Sequence, residues 1–133
     1  MTSPSPDLSS LGPFADWLGL QVQSADGDQM TATWTARPEL HQPFGIVHGG
    51  VHCSVVETLA SIAGSLWLDG TGHVVGVNNS TDFLRAVSEG ELTSVATPLH
   101  RGRLQQLWTV VTTDVDDRVV ARGNVRLQNL YRD

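Results

Sequence analysis

His48–Gly70 reads HGGVHCSVVETLASIAGSLWLDG, and this stretch decides the fold. Its polar and apolar residues recur at three- and four-residue spacing, the period of an α-helix. Two glycines open it, and Asp69-Gly70 closes it with a helix-stop signal. The spacing predicts one long helix of about 18–20 residues, starting near His48–Gly50. Val51, Val55, Leu59, Ile62 and Leu66 form an apolar stripe expected to face a sheet. Gly50, Ser54, Glu57, Ser61 and Gly64 form a second stripe of small and polar residues, with one carboxylate in its middle and Ala60 beside it.

Upstream, Pro13–Leu18 (PFADWL) predicts a short helix. LGLQVQSADGDQMTATWTAR alternates on either side of Asp26-Gly27-Asp28, a hairpin pattern, and Pro38–Gly45 reads as a loop. Downstream, HVVGVNNSTDFLRAV, ELTSVATPLHRG, LQQLWTVVTTDV and RVVARGNVRLQNLY are rich in Val and Thr. Gly or Asp-Asp breaks separate them, and they predict four strands of an antiparallel meander. A hairpin, one long helix and then strands make an α+β domain.

The chain has 133 residues, 40% apolar and 17% charged. That predicts one globular domain over residues 13–133. The polar start MTSPSPDLSSLG (residues 1–12) is expected to be a mobile tail. It has neither the basic region nor the apolar stretch of a signal peptide. No apolar run approaches ~18 residues, so no membrane span is expected. Eight basic against 14 acidic residues give a net charge of −6, which argues against a nucleic-acid partner. Cys53 is the only cysteine, so no intramolecular disulfide can form, as suits a cytoplasmic protein.

Glu57 admits two readings. It is a solvated or interface-paired side chain, or it is a carboxylate in a cleft aimed at a ligand. His48-Gly49-Gly50 also admits two. It is a bend that needs glycine, or it is a helix N-terminus whose free N–H groups receive an oxyanion or a carbonyl.

Taken together, QPFGIVHGGVHCSVVETLAS resembles the signature of hotdog-fold thioesterases, an antiparallel sheet wrapped around one long helix. The phenylacetate-pathway, Arthrobacter-type 4-hydroxybenzoyl-CoA and enterobactin-proofreading types are the most similar. That pattern runs from a Gln six positions to His-Gly-Gly. A carboxylate follows eight after the first Gly, and a Thr or Ser four further on. Gln42, His48, Gly49, Gly50, Glu57 and Ser61 stand at those spacings. The resemblance extends weakly over about residues 13–130, through DFLRAVSEGEL and PLHRGR.

It implies an acyl-CoA thioesterase with no metal or redox cofactor. Gly49 N–H would polarise the thioester carbonyl, and Glu57 would attack it or activate water. Gln42 and His48 would orient thioester and water, and Ser61 would hydrogen-bond the carboxylate or the water. The helices of two subunits would lie side by side, so that Gly49 of one and Glu57 of the other share a site in a homodimer or homotetramer. Eight residues of helix span ~12 Å, too far for both to reach one carbonyl within a chain. Gly50 would lie against the substrate, and Arg101, Gly102 and Arg103 would meet the nucleotide of CoA. Enterobactin-type relatives carry a His near positions 83–84, where this chain has Phe83 and Leu84. That departure points to a different acyl group, with Phe83 and Asp82 expected on the substrate side and Asp82 as a candidate second carboxylate.

Two other readings keep the fold, an enoyl-thioester hydratase and a non-catalytic acyl-CoA-binding module. The first lacks a His-and-acid hydratase signature. His48 and His52 stand at a metal-ligand spacing, but without the HExxH pattern or a Cys pair. Cys53 lies about 100° around the helix from His52, a poor pairing for a nucleophile, and reads as a small buried residue. Trp17, Trp34, Trp67 and Trp108 read as core or interface.

Overall fold

The computed structural model describes residues 7–133. Helix α1 (Pro13–Leu18) leads into a hairpin of β1 (Gln21–Ala25) and β2 (Met30–Ala36). A short 3-10 turn (Pro38–Leu40) precedes α2 (Gly49–Leu68). Then come β3 (Gly72–Phe83), β4 (Gly90–Arg101), β5 (Gln105–Thr113) and β6 (Val119–Tyr131). The six strands form one antiparallel sheet with α2 packed against it, the hotdog arrangement. Alternate residues of β2 are buried (Met30, Ala32, Trp34, Ala36), because successive strand side chains point to opposite faces.

Residues 1–6 of the expected tail lie outside the described residues. Residues 10 and 11 are tied to α1: Ser10 Oγ donates to Asp16 (2.6 Å) and Leu11 N–H donates to the same carboxylate (2.9 Å).

The strand order is β1-β2-β4-β5-β6-β3, which corrects the expected four-strand meander. Of the four strands after α2, only β4, β5 and β6 are sequential neighbours. β3 lies at the sheet edge, paired with β6 from Gly72↔Tyr131 to Phe83↔Ala121. Helix α2 carries the chain across the sheet, so β3 is laid down at the far edge. The connection Leu84–Glu89 then returns to start β4 beside β2.

The buried face of α2 also differs from the expected stripe. It comprises His52, Val55, Val56, Leu59, Ala60, Ala63, Gly64 and Leu68, while Val51, Ile62 and Leu66 are only partly buried. Hydrophobicity alone picks out the large side chains, but close approach of a helix to a sheet selects small ones. Gly64 shows this. A Cβ there would lie 2.6 Å from Leu127 Cδ1 and 3.0 Å from Gln106 Oε1. Gly64→Val is therefore expected to cost about 1–3 kcal/mol of stability through overpacking, read as a lowered urea midpoint. An unchanged midpoint would refute this packing.

By length and mean hydropathy (1.3) alone, α2 is long and apolar enough to cross a bilayer. It is instead the core helix, and polar groups hold it to the sheet. Gln106 Nε2 donates to Gly64 O (3.1 Å) and Asn129 Oδ1 (2.9 Å), and Trp108 Nε1–H donates to Gln106 Oε1 (2.7 Å). Gln106 and Trp108 are fully buried, so each polar atom needs such a partner. Trp34, equally buried, donates to Ser94 Oγ (3.0 Å). Trp17, by contrast, is half exposed beneath the Arg37 guanidinium.

Candidate functional site

Most of the residues singled out in the sequence line one of three clefts. The first, about 550 Å³, holds Glu57 and Ser61 together with Cys53, Asn79, Leu11 and Phe14. Glu57 is exposed, and its carboxylate lies against the backbone of β3. A Cβ on Gly76 would come within 3.2 Å of Glu57 Cδ. A β-bulge between Gly76 and Asn78 re-aims the strand just there. Asn79 Nδ2 donates to Cys53 O (2.9 Å) and approaches Glu57 Oε1 at 3.5 Å. Thr81 Oγ1 donates to Asn79 Oδ1 (2.7 Å) and fixes that amide. Cys53 is half-buried, on the wall of this cleft.

The second cleft, about 360 Å³, contains Gln42, Gly49, His52 and Phe83. Its floor is the N-terminus of α2. His48 is the N-cap, and its Nδ1 accepts the Gly50 N–H (2.8 Å). Val51 N–H donates to His48 O (2.9 Å). That leaves Gly49 N–H with no acceptor among the described residues, as the first N–H groups of a helix lack internal partners. Gly50, expected to contact substrate, has its N–H occupied by the cap. His48 itself is exposed and lines neither cleft. Phe83 lies over Gly49, where an added Cβ would come within 2.8 Å of its ring. Gln42 sits in a tight turn, donating to Ile46 O (2.8 Å), with its side-chain oxygen accepting the Phe44 N–H.

The third cleft, about 520 Å³, contains His100, Gly102, Arg103, Gln105 and Gln128. Gly102 N–H donates to Gln105 O (2.8 Å), closing the β4–β5 turn. Asn129 Nδ2 donates to Gly102 O (2.9 Å) and Arg103 O (3.1 Å), which ties this turn to the buried Gln106 network.

Two further residues stand elsewhere than expected. Arg101 is committed to the β1–β2 turn. Its Nη1 bonds Gly27 O (2.6 Å) and Asp28 Oδ1 (2.7 Å), and the guanidinium lies over Trp67. Proximity in sequence to Arg103 did not reveal this, because the Asp28 partner is 73 residues away. Asp82 alternates with Asn79, Thr81 and Phe83 along β3. Those three meet α2 or Gly123 beneath it, so Asp82 faces the opposite side of the sheet, away from Glu57. Among the described residues no group of three or more His, Cys, Asp or Glu is arranged to hold a metal.

Asn79 and His52 line the clefts, and Gly76 lies against the Glu57 carboxylate, without having been singled out as site residues. Asn79 left a signal: it is a polar residue at a strand position that faces the helix. His52 is 4% exposed, edge-on to Trp34 at 5.6 Å and tilted on Phe83 at 6.0 Å. Burial lowers its pKa from the usual 6.5 to about 4. The unfolded chain therefore binds a proton near pH 6.5, which the folded chain resists until near pH 4. Stability contributed by neutral His52 is present above 6.5 and lost as pH falls through this window. Between pH 7 and pH 4 the stability gap between His52→Leu and the parent is expected to shift by about 3 kcal/mol in favour of the variant. Parallel urea titrations at the two pH values check it, and a constant gap would refute it.

The Thioesterase superfamily profile matches residues 44–121. A Mycobacterium tuberculosis protein named provisionally as an esterase is 52% identical over 134 residues, covering 96% of each chain. The proofreading thioesterase EntH of Cronobacter turicensis is 37% identical over 118 residues, 89% of this chain and 86% of that one. The crystal structure of AziG from S. sahachiroi superposes with a TM-score of 0.91 at 53% identity, over 92% of this chain and all of the other.

Proposed function

Because this chain belongs to the thioesterase superfamily and is a thioester hydrolase, we propose that it cleaves acyl-CoA thioesters at a site shared between two subunits. The observation that carries this reading is the separation of Gly49 and Glu57. Each lines its own cleft, and the two clefts have no lining residue in common. A second copy that brings its Glu57 to the Gly49 N–H would join them into one site. The edge strand β3 supports such pairing. It is 12 residues long, exposes Val75, Val77 and Phe83, and carries one acid, Asp82. A long edge with so little charge is a natural surface for another copy. The assembly is a homodimer or a homotetramer built from it.

In this reading the thioester carbonyl oxygen accepts the Gly49 N–H, at the positive end of the α2 dipole. The partner's Glu57 then acts on the carbonyl carbon by one of two routes. It attacks directly, expelling the thiolate and leaving a mixed anhydride for water to cleave. Alternatively it takes a proton from a water that attacks in its place. Ser61 is one helical turn from Glu57 and shares its cleft, so it holds the water or the carboxylate. Gln42 flanks the carbonyl in the Gly49 cleft. The β4–β5 turn receives the phosphates of CoA through the Arg103 side chain, with Gly102 shaping the turn. No metal or redox cofactor takes part, and the protein works in the cytoplasm.

Thiol release from a panel of aryl-, short- and long-chain acyl-CoAs tests the reading. Turnover of at least one supports it. Binding without turnover would favour an acyl-CoA-binding module, and loss of enoyl absorbance without free thiol would favour a hydratase.

A further inference from the structure

His52 is a buried polar side chain that no step above uses. Its ring lines the Gly49 cleft, yet its Nδ1 is sealed from solvent and has no hydrogen-bond partner. A neutral imidazole carries one N–H and one lone pair. A proton on Nδ1 would bury an unsatisfied donor between Trp34 and Phe83. A lone pair there is the smaller loss, since orphaned buried N–H groups are the rarer defect. The proton therefore belongs on Nε2, at the other edge of the ring. Burial also keeps the ring neutral at physiological pH. His52 stands one helical turn beyond Gly49, and helix side chains lean toward the N-terminus. The imidazole thus runs back alongside the carbonyl position. The rest of that wall holds the polar Gln42 and Arg85 beside the apolar Ile46, Val47, Phe83 and Leu84.

Resting on the acyl-CoA reading, we infer that His52 is a specificity-determining residue, whose Nε2–H donates to an oxygen on the acyl group two or three carbons from the thioester carbonyl. A 3-oxoacyl chain and an ortho-oxygenated aroyl group both present such an oxygen. A plain acyl chain leaves this buried donor unpaired, which is where discrimination arises.

The test measures kcat/KM for two matched pairs, 3-oxooctanoyl-CoA against octanoyl-CoA and 2-hydroxybenzoyl-CoA against benzoyl-CoA. The unmodified enzyme is expected to favour the oxygenated member of at least one pair by about tenfold or more. The pair that shows the preference identifies the acyl class. His52→Phe keeps the aromatic packing without a nitrogen and is expected to bring that ratio toward one. His52→Gln keeps a donor and is expected to retain part of it. A general loss of packing would lower both members of a pair together and leave the ratio alone. A ratio near one in the parent enzyme, or a ratio unchanged in His52→Phe, overturns the assignment while the hydrolase stands. No thiol from any of the four thioesters also overturns the assignment, while the acyl-CoA reading stands or falls on the wider panel above.

Discussion

Glu57→Ala is expected to lower kcat for thiol release by at least ~100-fold, the low end of what a positioned carboxylate contributes, while leaving the fold in place. The side chain is exposed, and its only polar neighbour among the described hydrogen bonds is Asn79 at 3.5 Å. Surface substitutions of this kind move stability by about 0.5 kcal/mol or less. A large loss of turnover with an unchanged thermal midpoint is therefore the signature of chemistry rather than folding. Glu57→Gln removes the charge and keeps the shape, so it is expected to fall nearly as far. The same residue allows the two routes to be separated. In a single turnover in ¹⁸O-water, direct attack followed by water at the Glu57 carbonyl of the anhydride delivers an unlabelled carboxylate oxygen to the product acid and leaves ¹⁸O on Glu57, an outcome that only the direct route gives. General-base attack delivers label in the first turnover. Turnover by Glu57→Ala equal to that of the parent would remove Glu57 from the mechanism.

Local pattern made the helix and the hairpin legible. Gly49 and Leu68 bound α2, and Ala25 and Met30 flank the β1–β2 turn, because glycines and the change of hydrophobic period are local signals. The position of β3 was not legible. Which strand lies beside β6 depends on where α2 delivers the chain, and nothing within Gly72–Phe83 encodes that. The helix face was misread for a related reason. Ala60, Ala63 and Gly64 are fully buried through close approach, a property of the pair of surfaces and not of either one. The Gln42-His48-Gly49-Glu57-Ser61 spacing pointed to a site. Cap geometry then gave the parts different roles, since the His48 ring takes the Gly50 N–H and leaves that of Gly49 open. Arg101 and His52 show the limit from opposite sides. One is a cation that looked available and is bonded to Asp28. The other is a core-facing histidine whose missing partner becomes visible only once its neighbours are in place.

Gly49→Pro is expected to lower kcat by roughly 10²–10³-fold, the effect of deleting one oxyanion donor, without breaking α2. Gly49 is the first residue of the helix, where proline is well tolerated because that N–H has no internal acceptor. The preceding His48 is extended (φ −64, ψ 136), as a residue before proline must be. Both substitutions at this position press on the Phe83 ring, so Gly49→Ala is the control. It adds the Cβ but keeps the N–H, and the further loss in Gly49→Pro measures the donor. Sharing of the site then follows from a mixed dimer. Subunits carrying Gly49→Pro and subunits carrying Glu57→Ala are co-expressed with different tags, and the heterodimer is purified through both. Under two-fold symmetry each composite site takes Gly49 from one subunit and Glu57 from the other. One site of the heterodimer then carries both lesions and the other carries neither. It should recover about half of the parental rate per dimer, although each mutant homodimer is nearly inactive. If each subunit used its own Gly49 and Glu57, every site would carry a lesion and the heterodimer would stay at the level of the homodimers. Recovery would place the Glu57 of one subunit at the helix N-terminus of the other, and its absence would return both groups to a single chain, ~12 Å of helix apart.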